Sequence, residues 1–131
     1  MMMREELKAQ MEQAISSIDY NSIHEIKHVM KPRPIIEKTY RVMLLVLGTI
    51  STYDEISFLD CRPRLDHPNP PLPERMRQCK LDEISEEARA HLQQLVDDEQ
   101  FLPEIMQKMM SICGPLCAWL RLVNGYIIFS R

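Results

Sequence analysis

The chain has 131 residues, of which 45% are apolar, enough for one domain with one modest core. Only three glycines occur, Gly48, Gly114 and Gly125, which disfavours an all-β fold and leaves no way to write a glycine-rich phosphate loop. A net charge of −3 argues against nucleic acid as a partner, so an acidic partner has to be met by a local basic patch.

No apolar run approaches the ~20 residues of a membrane span, and the longest, Val42–Leu47, is ended by Gly48. The start, MMMREELK, lacks the apolar region of a signal peptide. Cys61, Cys79, Cys113 and Cys117 therefore read as reduced thiols of a cytoplasmic protein. The ten methionines read as core filler.

Residues 1–30 read as one helix. Leu7, Met11, Ala14 and Ile18 recur at coiled-coil spacing; the apolar phase then slips to Ile23, Ile26 and Met30, which puts a register break near Asp19–Asn21. About two heptads are short for a coiled coil on its own, so this helix requires an antiparallel partner. Lys31-Pro32-Arg33-Pro34 stops it, and Pro34 suits the first turn of a second helix over about 34–49. That helix buries Ile36, Tyr40, Met43, Leu44 and Leu47. Lys38 and Arg41 share a different face, and Gly48 supplies or follows the cap.

A short helix is expected over Asp54–Leu59. RPRLDHPNPPLP holds five prolines in twelve residues and reads as an extended loop. Pro73 starts a short basic helix carrying Arg75, Arg77 and Lys80. A fourth long segment, Asp82 to Val96 with Asp82 as N-cap, buries Ile84, Ala88, Leu92, Leu95 and Val96. A fifth starts at Pro103 and breaks at Gly114-Pro115. The last starts at Pro115 and buries Leu116, Trp119, Leu120, Val123 and Ile127, with Arg121 and Asn124 off the stripe. The fold class is thus all-α, a compact bundle of about six helices.

Three motifs carry candidate chemistry. His24-Glu25-Ile26-Lys27-His28 is a literal HExxH, which on a helix aims two imidazoles one way for Zn²⁺ with the glutamate as base. Lys31 and Pro34 stand where a metzincin has its glycine and third histidine, so two histidines on a solvated face is the favoured reading. Cys113-Gly-Pro-Leu-Cys117 is CxxxC, one residue too long for the redox string, and reads as packed core. Lys38, Arg41, Arg75, Arg77, Lys80, Lys108 and Arg121 read, on the sequence alone, as scattered surface charge. Glu37 and Arg41 are spaced to pair along their helix.

Three stretches, in order, resemble the microtubule-binding stalk tip of dynein heavy chains. The first is AISSIDYNSIHEIKHVMKPRPIIEKTYRVMLLVLG, where Glu25-Ile26-Lys27, Pro32 and Pro34, and the leucine run to Gly48 match the passage from coiled coil to tip. The second is DEISEEARAHLQQLVDDEQFLPEI, with its acid-acid-Ile-Ser helix and Phe101-Leu102-Pro103-Glu104. The third is SICGPLCAWLRLVNGY, with Trp119 and, seven residues on, Tyr126. Together they span about three quarters of the chain.

The resemblance implies a module without catalysis or cofactor. The expected division is residues 1–30 as the end of a first stalk strand, 31–126 as the tip, and 127–131 as the start of the returning strand of a truncated stalk. It implies docking between α- and β-tubulin, in the cytoplasm or a ciliary axoneme, with any motor ATPase outside this chain. Lys38, Arg41, Arg75, Arg77, Lys80 and Arg121 would make the contacts, with Pro32, Pro34, Trp119 and Tyr126 structural. Affinity in that family is switched by sliding one coiled-coil strand against the other; the isolated domain is expected to sit in one state, as a monomer. Glu37 and Ala118 stand where basic residues are usual, the family's middle tryptophan is replaced near Glu55, and the proline-rich loop is foreign to the pattern. These departures motivate a second reading, a helical protein-interaction domain without tubulin affinity.

Overall fold

A computed structural model describes residues 2–130, with side chains described from Arg4 to Ser130. Among the described residues the chain is all-helical, with α1 (Met2–Ser16), α2 (Tyr20–His24), α3 (Pro34–Val46), α4 (Phe58–Leu65), α5 (Leu72–Arg77), α6 (Glu86–Val96), α7 (Pro103–Met109) and α8 (Cys113–Phe129). Two 3-10 turns, Glu25–His28 and Leu81–Glu83, join them. None of these helices is long and apolar enough to cross a membrane.

The first thirty residues are not one helix. α1 ends at Ser16, Asp19 caps α2 by accepting from the Asn21 amide at 3.0 Å, and the chain then tightens into the 3-10 turn. The break falls where the apolar phase slips, because a continuous helix would turn Ile23 and Ile26 away from the core that buries them. α1 finds its partner in α8. Arg4 donates to the Ser130 hydroxyl at 3.3 Å, and Leu7 packs over Gly125. Met11 and Ile15 share a cleft with Trp119. Ascending α1 thus matches descending α8, and the two helices run antiparallel. The pairing reaches back to Trp119 inside the last helix rather than beginning at 127.

α3 is the central helix. Pro34 opens its first turn, and nearly every side chain from Ile35 to Val46 is buried against α4, α6 and α8. It ends at Val46 rather than 49. Gly48, at φ 77°, lets its amide reach the Leu45 carbonyl and the Thr49 amide reach the Leu44 carbonyl, which closes the helix end.

The proline-rich segment is less extended than its composition suggests. α4 lies at 58–65, later than the expected 54–59, and runs through Pro63. Ser57 caps it, and Cys61 and Leu65 are fully buried. Pro63 has no amide to give the Leu59 carbonyl; the Arg62 side chain approaches that oxygen instead, at 3.4 Å. Only 66–71 is loop. α6 starts at Glu86, not Asp82, because Ser85 accepts from the Ala88 amide at 3.1 Å. Asp82 instead accepts from the Tyr126 hydroxyl at 3.1 Å. α8 begins at Cys113 and takes Pro115 into its first turn, so the break after α7 falls at 110–112.

Candidate interaction surface

The candidate basic residues separate by what their charges already do. Arg41, expected on an exposed face, is buried at 7% exposure. It pairs with Glu37 at 3.0 Å and donates to the carbonyls of Tyr53 and Ile56 at 2.9 and 2.7 Å. Its guanidinium also lies 5.4 Å from the Tyr53 ring centre. Tyr53 in turn stacks on His91, with centroids 4.4 Å apart, and gives its amide to Glu87. Arg41 therefore fixes the 51–57 segment between α3 and α6.

Arg75 is similarly occupied. Its guanidinium donates to the carbonyls of Pro70, Arg64, Leu65 and His67, holding the proline loop closed. Burial pulls its pKa below the usual arginine value. Arg77 clamps α5 to α1, bridging Glu12 and Glu74 at 3.0 Å each. The bond from Arg77, with help from Ser16, holds the Glu12 carboxyl below its ordinary range. Lys80 is open to solvent, 3.9 Å from Glu83.

Lys38 and Arg121 sit at the other end of α3. Lys38 donates to the Gln94 side chain at 3.1 Å, and Arg121 to the Phe101 carbonyl at 3.1 Å. The two thus flank the C-terminal end of α6, one from α3 and one from α8. A shallow groove joins Lys38 to Arg33, with Asp98 on its far side. The structure does not bring all six candidate cations onto one face. Lys38 reaches α6 and Arg121 the segment that follows it, while Arg75, Arg77 and Lys80 lie on or just after α5.

The four structural residues have defined roles. Pro32 stands in the linker before α3 and Pro34 in its first turn. Trp119 is fully buried. Tyr126 is buried, holds Asp82, and has the cations of Arg4 and Lys8 at 5.1 and 5.7 Å from its ring centre.

Sequence reasoning passed over Lys31 and Arg33. Both are exposed, and among the described residues neither is ion-paired. The signal was present in KPRP, where two prolines stiffen the chain that carries them, but that string was weighed for its prolines and not for its charge.

The HExxH string does not form a helical metal face. α2 ends at His24 and a 3-10 turn follows, so His24 aligns with Lys27 rather than with His28. Among the described residues no three His, Cys, Asp or Glu side chains gather as a metal-binding group. Cys113 and Cys117 are buried, and burial pushes both thiols up to about 12, the opposite of an activated thiolate.

No family model matches the sequence, and no curated protein matches it.

Proposed function

We propose that this chain is a microtubule-binding module, docking to tubulin through basic side chains at the α6 end of the helical head. The observation that carries the reading is the antiparallel α1/α8 pair bearing a compact head. Lys38 and Arg121 lie on the helix after the proline pair and on the last helix, two of the three elements, with a short middle helix, that the sequence resemblance associates with tubulin contact. Tubulin's surface is acidic, so partly exposed lysines and arginines such as these steer the encounter and salt weakens it. Arg41 and Arg75 contribute to this reading by shaping the head, since their donors are already engaged. Lys80, remote from Lys38, is a secondary contact.

Co-sedimentation with polymerised tubulin tests the proposal. The chain pellets with microtubules at low salt and less as salt rises. Failure to pellet at any ionic strength overturns it.

A second reading, a helical protein-interaction domain without tubulin affinity, has its own support. Three of the six candidate cations, Arg41, Arg75 and Arg121, donate to backbone carbonyls, and Asp98 borders the groove beside Lys38. It is the reading left standing if pelleting fails.

A further inference from the structure

The 3-10 turn, the proline linker and the end of α7 enclose a groove of about 400 Å³. Its floor is apolar, formed by Val29, Ile36, Met109 and Met110. Its rim is basic. Lys31 and Arg33 stand on it, exposed and without an ion pair among the described residues, and His28 adds a polar edge.

Local charge sets this edge apart from the rest of an acidic chain. Between His24 and Lys38 there are four cations, Lys27, Lys31, Arg33 and Lys38, against two carboxylates, Glu25 and Glu37. Glu37 is ion-paired with Arg41, whereas Glu25, which itself lines the groove, keeps its charge while accepting from the Ser111 hydroxyl at 2.8 Å. The groove lining therefore carries two cations, Lys31 and Arg33, against one carboxylate, Glu25, and keeps a net positive charge.

The walls are also held in place. The buried Tyr40 hydroxyl lies within hydrogen-bonding reach of the Ile26 carbonyl, at 3.2 Å, and of the Met110 sulfur, at 3.6 Å. Arg62 donates to the carbonyls of Lys27 and Val29 at 2.6 and 3.2 Å, which pins the rim from α4. A preformed groove spares its ligand the cost of ordering the site. Methionine side chains adapt to the shape of an apolar guest.

We propose that this groove is a docking site for an acidic peptide segment of another protein, one apolar side chain entering over Met109 and Met110 while its carboxylates meet Lys31 and Arg33. The site stands whether or not the chain binds tubulin.

Fluorescence anisotropy with a short labelled peptide of alternating Glu and Ser around one central Leu tests it without tubulin present. Wild-type protein binds saturably at low salt. The Lys31→Glu/Arg33→Glu double variant loses affinity tenfold or more, whereas Arg89→Glu, a charge reversal on α6, leaves it nearly unchanged. Met109→Gln, or a peptide with Ser in place of the central Leu, weakens binding about tenfold, the equivalent of about 1.4 kcal/mol. Circular dichroism checks that each variant keeps its helicity. No binding by the wild type overturns the proposal. So does equal affinity for the Leu and Ser peptides, which marks plain charge attraction, or binding untouched by the rim variants, which places the peptide elsewhere.

Discussion

At the residue scale the decisive side chain is Arg41. A single guanidinium satisfies Glu37 and two backbone carbonyls, and it packs on Tyr53. Removing it leaves the Tyr53 and Ile56 carbonyls without their donor in a partly buried site, which costs more than the bonds themselves contribute. Arg41→Met is expected to destabilise the fold by about 2–3 kcal/mol, read as a lower urea midpoint with unchanged slope. A loss below about 0.5 kcal/mol, the range of ordinary surface substitutions, would contradict this role.

The buried thiols give a second residue-scale prediction. Cys113 and Cys117 have an ordinary thiol value of 9.0 and are pushed up to about 12 by burial. The unfolded chain therefore releases these protons at a lower pH than the folded one. Their contribution to stability is complete below 9 and is lost as pH rises from 9 toward 12. Urea midpoints under reducing conditions should fall through that window more steeply in the wild type than in Cys113→Ala/Cys117→Ala. Parallel alkaline profiles would refute the assignment.

At the scale of elements, the glycines of α8 make opposite predictions. Gly125 sits mid-helix, where an added Cβ would meet only a Leu7 methyl at 3.8 Å, an ordinary contact. Gly125→Ala should stabilise by about 0.5–1 kcal/mol through helix propensity. At Gly114 the same Cβ would stand 2.9 Å from the Gln107 Cβ and 2.6 Å from its Oε1. Gly114→Ala should destabilise, because α7 has to move off α8 to admit it. Thermal melts of the two variants decide this, and a shift of the same sign in both would contradict the packing described.

The legibility of the elements follows the range of the forces that set them. The break near Asp19, the start of α3 at Pro34 and its apolar stripe were readable because capping, proline geometry and periodicity act within a few residues. α4 was misplaced because its anchors, Cys61 and Leu65, are buried by tertiary contact, which overrides the local signal of Pro63. Asp82 was taken as a cap because its partner, Tyr126, lies 44 residues away. Arg41 was assigned to the surface for the same reason, since two of its acceptors are backbone carbonyls at 53 and 56 that no side-chain pattern announces.

At the scale of the whole molecule, α1 and α8 form an antiparallel pair, α3 is the hub, and α7 with the 3-10 turn closes one end. That arrangement separates the cations into those that build the head and those that remain available to a partner. Arg41, Arg75 and Arg77 build it, Lys31 and Arg33 stand exposed, and Lys38 and Arg121 are half-buried with one hydrogen bond each.

The central claim is that the available cations, not the internal ones, hold tubulin. Its most direct test is a microtubule pelleting titration at low salt of the wild type, Lys38→Glu and Arg121→Glu, with helicity checked for each. The account predicts that both reversals lower the pelleted fraction several-fold while circular dichroism is unchanged. Binding by the wild type that survives both reversals intact would contradict it.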